Sequence, residues 1–266
     1  MEVSTGREPA VRRWPGPAGE PAALWHELEC GAYRADLPLW LELADRADRE
    51  RGDGAVLELG AGTGRVALTL ARHGHPVTAV ELDPVLLQEL RRRARAEGLE
   101  VRAVAADARE LALARTDFAL AIVAMQTIQL FGGARGRARF FEGVRAHSRP
   151  GAMLACAIVS ELEPFRCAAG ENRAAAERMW VEGRLLLSTP TALRIGARTI
   201  TIERERLVLA RDGTPERPER HVVQLARLDS CGLEAEGKAA GLRPLPRLAV
   251  PETTEHAGSE VVVFRV

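Results

Sequence analysis

The sequence predicts an α/β fold: a doubly wound, mostly parallel, seven-stranded sheet with an antiparallel β insertion after the fifth strand. Three observations carry this. From residue 55 to residue 160, short apolar runs alternate with amphipathic helical stretches, the pattern of a parallel sheet with helical crossovers. The fourth run, Phe118–Ala124, is almost wholly apolar, as a central parallel strand buried on both faces must be. Beyond residue 160 the alternation stops, and period-two patterns over 198–209 and 221–228 flank a turn at Asp212-Gly213, which reads as an antiparallel hairpin.

Residues 1–21 are rich in Arg, Pro and Gly and read as a disordered leader. Residues 22–50 are expected to form a helical cover: Leu37, Trp40, Leu41 and Ala44 share one helical face, and Pro38 fits a helix start. A core spans 51–160. Its first strand is Ala55–Leu59, followed by a turn at Gly60–Gly64 and a helix with Val66, Ala67, Leu70 and Ala71 inward. Pro76–Val80 is the second strand. Asp83 is a natural N-cap, Pro84 fits the first helical position, and Leu82 is placed to staple against Leu87. Leu86, Leu87, Leu90 and Ala94 form that helix's buried stripe, and Gly98 closes it. Val101–Ala105 is the third strand, a helix covers roughly 135–148, Pro150-Gly151 makes a turn, and Ala152–Val159 is the fifth strand. Residues 161–228 are assigned to a lid or antiparallel insertion, and 229–266 to a last helix ending at Gly241 with terminal strands Leu242–Val250 and Glu260–Val266.

Composition narrows the function. The 266 residues are 46% hydrophobic, enough for a substantial core, and the formal net charge is zero. Such a chain has no global basic field for nucleic acid or an anionic membrane, so neither is expected as a partner. No apolar run approaches the ~18 residues of a membrane span. Cys30, Cys156, Cys167 and Cys231 form no CxxC pair and no metal-ligand spacing, which fits a reducing cytoplasm and no metal. Arginine supplies nearly all the positive charge, with Lys238 the single lysine, so individual arginines carry little weight.

The chemistry concentrates at three strand ends. After the first strand comes Glu58-Leu59-Gly60-Ala61-Gly62-Thr63-Gly64. Glycine permits positive φ and leaves no Cβ between backbone and ligand, and the following helix offers unpaired N–H groups. The spacing is GxGxG, not the GxGxxG of dinucleotide folds. Glu81 closes the second strand, 17 residues after Gly64, where a carboxylate can take both hydroxyls of a ribose or simply stand solvated. Asp107, after the third strand, can accept from a base amine with the Ala108 N–H serving the ring, or cap a helix.

These stretches, in this order, resemble the class I S-adenosylmethionine-dependent methyltransferase family, a Rossmann-like fold; the resemblance covers roughly 55–160. It implies S-adenosyl-L-methionine as cofactor and S-adenosyl-L-homocysteine as product. It places the amino-acid part of the cofactor at Gly60, Ala61, Gly62 and Gly64, with Glu58 reaching its amine. Ribose falls to Glu81 beside Leu82, and adenine to Asp107 and Ala108. The stretch Met125-Gln126-Thr127-Ile128-Gln129 then faces the transferring methyl; Met125 joins the cofactor site, and Gln126 and Gln129 either position a substrate or serve as helix polar groups. The Asn/Asp-Pro-Pro-aromatic motif of base-amino methyltransferases is absent there, which argues against DNA methylation.

Catalytic candidates are Tyr33, the only tyrosine, His256 in Thr253-Thr254-Glu255-His256, and Gln126. Tyr33 either touches the sulfonium or substrate or packs; His256 is a base or substrate ligand, or a surface histidine. Phe165 and Trp180 either line a substrate pocket or form the core of a lid. The expected activity is methyl transfer to an N or O nucleophile of a small-molecule acceptor by a cytoplasmic monomer or homodimer. Three alternatives stand beside it: a peptide or protein amine as acceptor, an NAD(P)-dependent oxidoreductase, and a cofactor-binding protein without catalysis.

Overall fold

The computed structural model describes residues 11–14, 19–52, 54–167, 176–253 and 256–266. Along the chain run β1 (Arg12–Arg13), α1 (Pro21–Cys30), α2 (Leu37–Arg51), β2 (Val56–Leu59), α3 (Arg65–Arg72), β3 (Val77–Glu81), α4 (Pro84–Ala96), β4 (Val101–Ala105) and β5 (Phe118–Val123). A 3-10 turn, Thr127–Leu130, leads to α5 (Ala134–His147) and β6 (Ser148–Ile158). Then follow β7 (Phe165–Arg166), β8 (Glu177–Val181), β9 (Arg184–Ile195), β10 (Thr199–Leu209), β11 (Glu219–Ala226), α6 (Ser230–Ala239), β12 (Arg243–Pro244), β13 (Leu248–Val250) and β14 (Ser259–Arg265).

The chain divides into two compact units. The larger, Tyr33–Leu162 with Leu225–Val266, is built on a sheet of order β12-β14-β6-β5-β2-β3-β4. Neighbours from β6 to β4 are parallel, and β14 runs antiparallel to β6. Order reverses at β2, with β3 and β4 to one side and β5 and β6 to the other, which makes the β2/β5 junction the switch point of the sheet. One apolar cluster joins the sheet to α2 and α3 through Trp40, Leu43, Val66 and Leu70. The other face is covered by Phe140, Phe141, Val144 and Leu233 of α5 and α6.

Eight strands, not the expected seven, make this sheet among the described residues. Two short segments, β12 and β13, share one edge against β14, with Pro246 between them. Proline has no N–H to give a ladder, so the edge breaks there. Pro150-Gly151, expected as a turn, lies inside β6 as an irregularity with Gly151 at φ 77°, and Gly151 N donates to Val266 O at 2.8 Å. Leu82 does not staple against Leu87: it is 61% exposed, whereas Leu87 is buried. The cap at Asp83 and the glycine after α4 are as expected; Asp83 Oδ1 accepts from Val85 N at 2.8 Å, and Gly98 takes φ 63°.

The smaller unit, Met1–Ala32 with Glu163–Gln224, holds a second sheet of order β1-β8-β9-β10-β11, with β7 on β9. This is wider than the single hairpin expected; β8–β9 and β9–β10 are antiparallel. Most of the leader lies outside the described residues, but Arg12–Arg13 pair parallel with Met179 and Trp180 of β8. Helix α1 is fastened to this sheet by Glu29, whose carboxylate takes the Arg206 fork at 2.8 and 2.7 Å and Ser188 Oγ at 2.7 Å. Phe165 and Trp180 are 41% and 39% exposed, so they do not form a lid core. No helix among the described residues is long and apolar enough to cross a membrane.

Candidate functional site

Three adjacent parallel strands, β2, β3 and β4, deliver the glycine loop, Glu81 and Asp107 to one edge of the larger sheet. Gly60, Gly62 and Gly64 all take positive φ, at 73°, 57° and 94°. The turn is tied to β3 by Gly60 N and Ala61 N, which both donate to Val80 O at 2.9 and 3.0 Å, and it closes with Gly64 N on Ala61 O at 2.9 Å. A Cβ on Gly60 would stand 2.3 Å from Thr127 Cγ2, so the loops after β2 and β5 touch at the switch point.

Glu81 is tied at both oxygens. Oε2 accepts from Gly62 N at 2.8 Å and Oε1 from Asp83 N at 2.9 Å. A carboxylate has about four acceptor positions, so one remains on each oxygen. Glu58 is buried, and its Oε2 has no hydrogen-bond partner. Burial pushes its carboxyl up to about 8, with Asp36 and Glu81 adding to the rise against Arg65 and a backbone hydrogen bond from Ala67.

Asp107 does not cap a helix. Its Oδ1 accepts from Arg109 N two residues on at 2.8 Å, and Arg109 adds a side-chain fork. That fork holds the Asp107 carboxyl below the usual carboxylate range. Ala108 beside it is buried, and Leu82 stands exposed next to Glu81. Met125, after β5, is one of two non-glycine residues at positive φ among those described, at 48°. Its carbonyl accepts from Thr127 N at 2.7 Å. Strained backbone of this kind concentrates at functional sites.

Tyr33 and His256 come together, with ring centroids 4.9 Å apart. Tyr33 is 5% exposed, its hydroxyl lacks a well-formed hydrogen bond, and burial raises its ionisation above the ordinary phenol value, with Asp36 adding to the rise. Arg65, directly after Gly64, lies 5.2 Å over the Tyr33 ring and donates to Tyr33 O at 3.0 Å. Its guanidinium also pairs with Asp36 in the interior, and Asp36 accepts from Trp40 Nε1 at 2.8 Å. Gln126 is half-buried ahead of the 3-10 turn. Gln129 is structural: fully buried, it donates to Val159 O and Ala226 O at 3.1 and 3.0 Å and accepts from Val159 N at 2.9 Å. Sequence reasoning missed Asp36, Arg65, Arg109 and Thr127. The Asp107-x-Arg109 spacing is a usable signal for a local fork; no local pattern announces the pairing of Asp36 with Arg65 across 29 residues.

Residues 56–151 match a family model described as a methyltransferase domain. A comparison with curated proteins gives no match. Among solved structures, the chain is similar to an S-adenosylmethionine-dependent methyltransferase from Clostridium acetobutylicum (15% identity, TM-score 0.67, covering 92% of this chain and 97% of that one). It is similar to an amino pentose methyltransferase from Micromonospora echinaspora, solved with S-adenosylmethionine bound (21% identity, TM-score 0.70, 91% and 97%). It is also similar to a sugar N-methyltransferase from Streptoalloteichus (20% identity, TM-score 0.67, 100% and 99%). Residues 56–151 therefore carry a methyltransferase domain, and the fold around it is that of the class I S-adenosylmethionine-dependent methyltransferases.

Proposed function

We propose that this chain is an S-adenosylmethionine-dependent methyltransferase whose acceptor is the amino nitrogen of a small molecule such as an amino sugar. The observation that carries the cofactor assignment is the set of spare acceptors at the ends of β2, β3 and β4. Glu58 keeps an unpartnered, buried oxygen for a cationic amine. Glu81 keeps one position on each oxygen, a match for two vicinal hydroxyls. Leu82 offers exposed apolar surface beside it, and Asp107 and Ala108 stand at the next strand end. Gly60, Gly62 and Gly64 present bare backbone between them, with Ala61 in the same turn, and Met125 follows β5 at positive φ.

When bound, the cofactor supplies an already activated methyl group, so the protein's task is alignment and proton removal. An amine acceptor arrives protonated at neutral pH and must lose a proton before it can attack, which gives a base work to do. His256, half-buried against Tyr33, suits that role; the neutral Tyr33 hydroxyl orients it or the acceptor. Gln126 is the remaining polar side chain ahead of the turn. The amine assignment is supported by the amino pentose and sugar N-methyltransferases to which the fold is similar.

The test is transfer of labelled methyl to a panel of amino sugars, each paired with its hydroxyl analogue. Label on the amine and none on the analogue supports the proposal. Label on the hydroxyl alone overturns the amine assignment. Binding of NADH in preference to S-adenosylhomocysteine overturns the cofactor.

A further inference from the structure

Arg65 occupies a position that disfavours it twice. It is the first residue of α3, where the unpaired N–H groups of a helix repel a cation, and its side chain is only 7% exposed. A buried ion pair regains little beyond its desolvation cost, so an apolar side chain would serve packing as well. What the arginine provides is geometry. Its guanidinium forks onto Asp36, with Nη2 donating to Oδ2 at 2.7 Å and Nη1 to Oδ1, and Nη1 also donates to Tyr33 O at 3.0 Å. Its Cζ lies 5.2 Å from the Tyr33 ring centroid.

Both ends of this contact are fixed. Arg65 follows Gly64, which sits at φ 94° and closes the glycine turn through its N–H on Ala61 O at 2.9 Å. A Cβ on Gly64 would stand 2.8 Å from Leu90 Cγ, so the turn is seated against α4. Asp36, at the cap position of α2, accepts from Trp40 Nε1 at 2.8 Å, and Trp40 is fully buried. The buried Tyr33 ring passes the position on to His256, whose ring centroid is 4.9 Å away at an interplanar angle of 33°. The His256 backbone is set by Thr253: His256 N donates to Thr253 Oγ1 at 3.0 Å, and Thr253 N donates to His256 O at 2.9 Å. A continuous series of contacts thus runs from the glycine loop through Arg65 and Tyr33 to His256.

We propose that Arg65 is a positioning residue for methyl transfer: it docks Tyr33 against the glycine loop and, through the Tyr33 ring, sets His256 at the acceptor. This rests on the role of His256 as base proposed above. Arg65 acts on the reaction only through Tyr33 and His256. A small misplacement of a reacting group costs as much as about 100-fold in rate, which is the scale on which such a contact matters. Arginine is required because one planar group reaches both Asp36 oxygens and the Tyr33 carbonyl while lying over the ring. The ammonium of a lysine is a point charge on a shorter stem and cannot hold all of these at once.

The experiment pairs nuclear magnetic resonance of the full chain, carrying carbon-13 at histidine Cε1, with steady-state kinetics on the amino sugar methylated fastest in the panel above. His256→Gln identifies the His256 signal, and Tyr33→Leu gives its position without the ring current of Tyr33. Melting curves verify that each variant is folded. In Arg65→Lys the signal is expected to move from its wild-type position to that of Tyr33→Leu. Turnover is expected to fall by about 10–100-fold, with KM for S-adenosylmethionine within about threefold of wild type. Asp36→Asn keeps the guanidinium and loosens its anchor, so it is expected to behave alike, and it decides the matter should Arg65→Lys fail to fold. A lower melting temperature with signal and turnover unchanged makes Arg65 merely structural and overturns the inference, while the role of His256 survives. Equal His256 signals in wild type and Tyr33→Leu show that the two rings do not meet, which also overturns it. If His256→Gln turns over as fast as wild type, or no amino sugar is methylated, the reading of His256 as base fails and takes the inference with it.

Discussion

Glu81 Oε2 accepts the backbone N–H of Gly62 at 2.8 Å, so the acid at the end of β3 holds the glycine loop at the end of β2. Its other oxygen takes Asp83 N, at the cap of α4. One side chain thus fixes the turn, the helix start and the acceptors left for a ligand. A charge-assisted bond of this kind contributes about 1.5–3 kcal/mol, and its removal strands the N–H of Gly62 in a buried turn. Glu81→Ala is expected to lower the melting temperature by several degrees and to weaken S-adenosylhomocysteine by about 10–100-fold in titration calorimetry. Unchanged affinity would remove Glu81 from the site.

Glu58 makes stability depend on pH in an unusual sense. Its folded-state carboxyl is pushed up to about 8 from an ordinary 4.5. Between these values the folded protein holds a proton that the unfolded chain has lost, so this group's contribution falls as pH rises from about 4.5 to 8 and is level above. Its full cost is on the order of a few kcal/mol. Urea melts from pH 5 to 9 should show this decline in wild type and its absence in Glu58→Gln. A ligand cation seated against Glu58 ionises it, so binding of S-adenosylhomocysteine at pH 7 should release up to one proton. The binding heat should then change with the ionisation heat of the buffer in wild type and not in Glu58→Gln.

The parts of the fold that were legible in the sequence are those dictated locally. The run Phe118–Val123 is apolar at every position because both its faces are covered, and Asp83-Pro84 marks a helix start by its own hydrogen bonds. The glycine spacing pointed to the loop because positive φ at three alternate positions is a backbone requirement, and all three positions meet it. Strands β8 and β9 were missed. Their sides are not cleanly apolar and polar: β9 carries buried Ser188 and Thr189 and half-buried Leu185 and Leu187, so period two is blurred. Gln129 reads either way in the sequence because its three hydrogen bonds go to two residues, Val159 and Ala226, 30 and 97 positions away. The same holds for Asp36 and Arg65.

Gln129 offers a clear stability test. Its amide serves three backbone groups where β6 ends and where β11 ends. Gln129→Leu fills the volume and satisfies none of them, at about 1–3 kcal/mol for each orphaned group. Thermal unfolding should fall by roughly 6 °C or more in a chain of this size. Gln129→Glu keeps the acceptor for Val159 N but sets a buried carboxyl against Val159 O and Ala226 O, so it should be no more stable than Gln129→Leu. A variant as stable as wild type would mean that water replaces the amide.

The contact between Gly60 and Thr127 can be measured by a double-mutant cycle. A methyl on Gly60 meets Thr127 Cγ2 at 2.3 Å, and the φ of 73° is unfavourable for any side chain. Gly60→Ala should therefore cost about 1–3 kcal/mol for the overlap and roughly 1–2 kcal/mol for the left-handed backbone. Thr127→Ser removes Cγ2 and keeps the hydroxyl, which donates to Ala124 O at 2.9 Å, so alone it should cost little. In the double variant the overlap is relieved and the backbone strain is not. The pair should thus recover about half of the Gly60→Ala loss in chemical denaturation, a coupling of roughly 1 kcal/mol or more. Additivity of the two changes would show that the β2 and β5 loops do not press on each other at the switch point, and that the cost of Gly60→Ala is backbone strain alone.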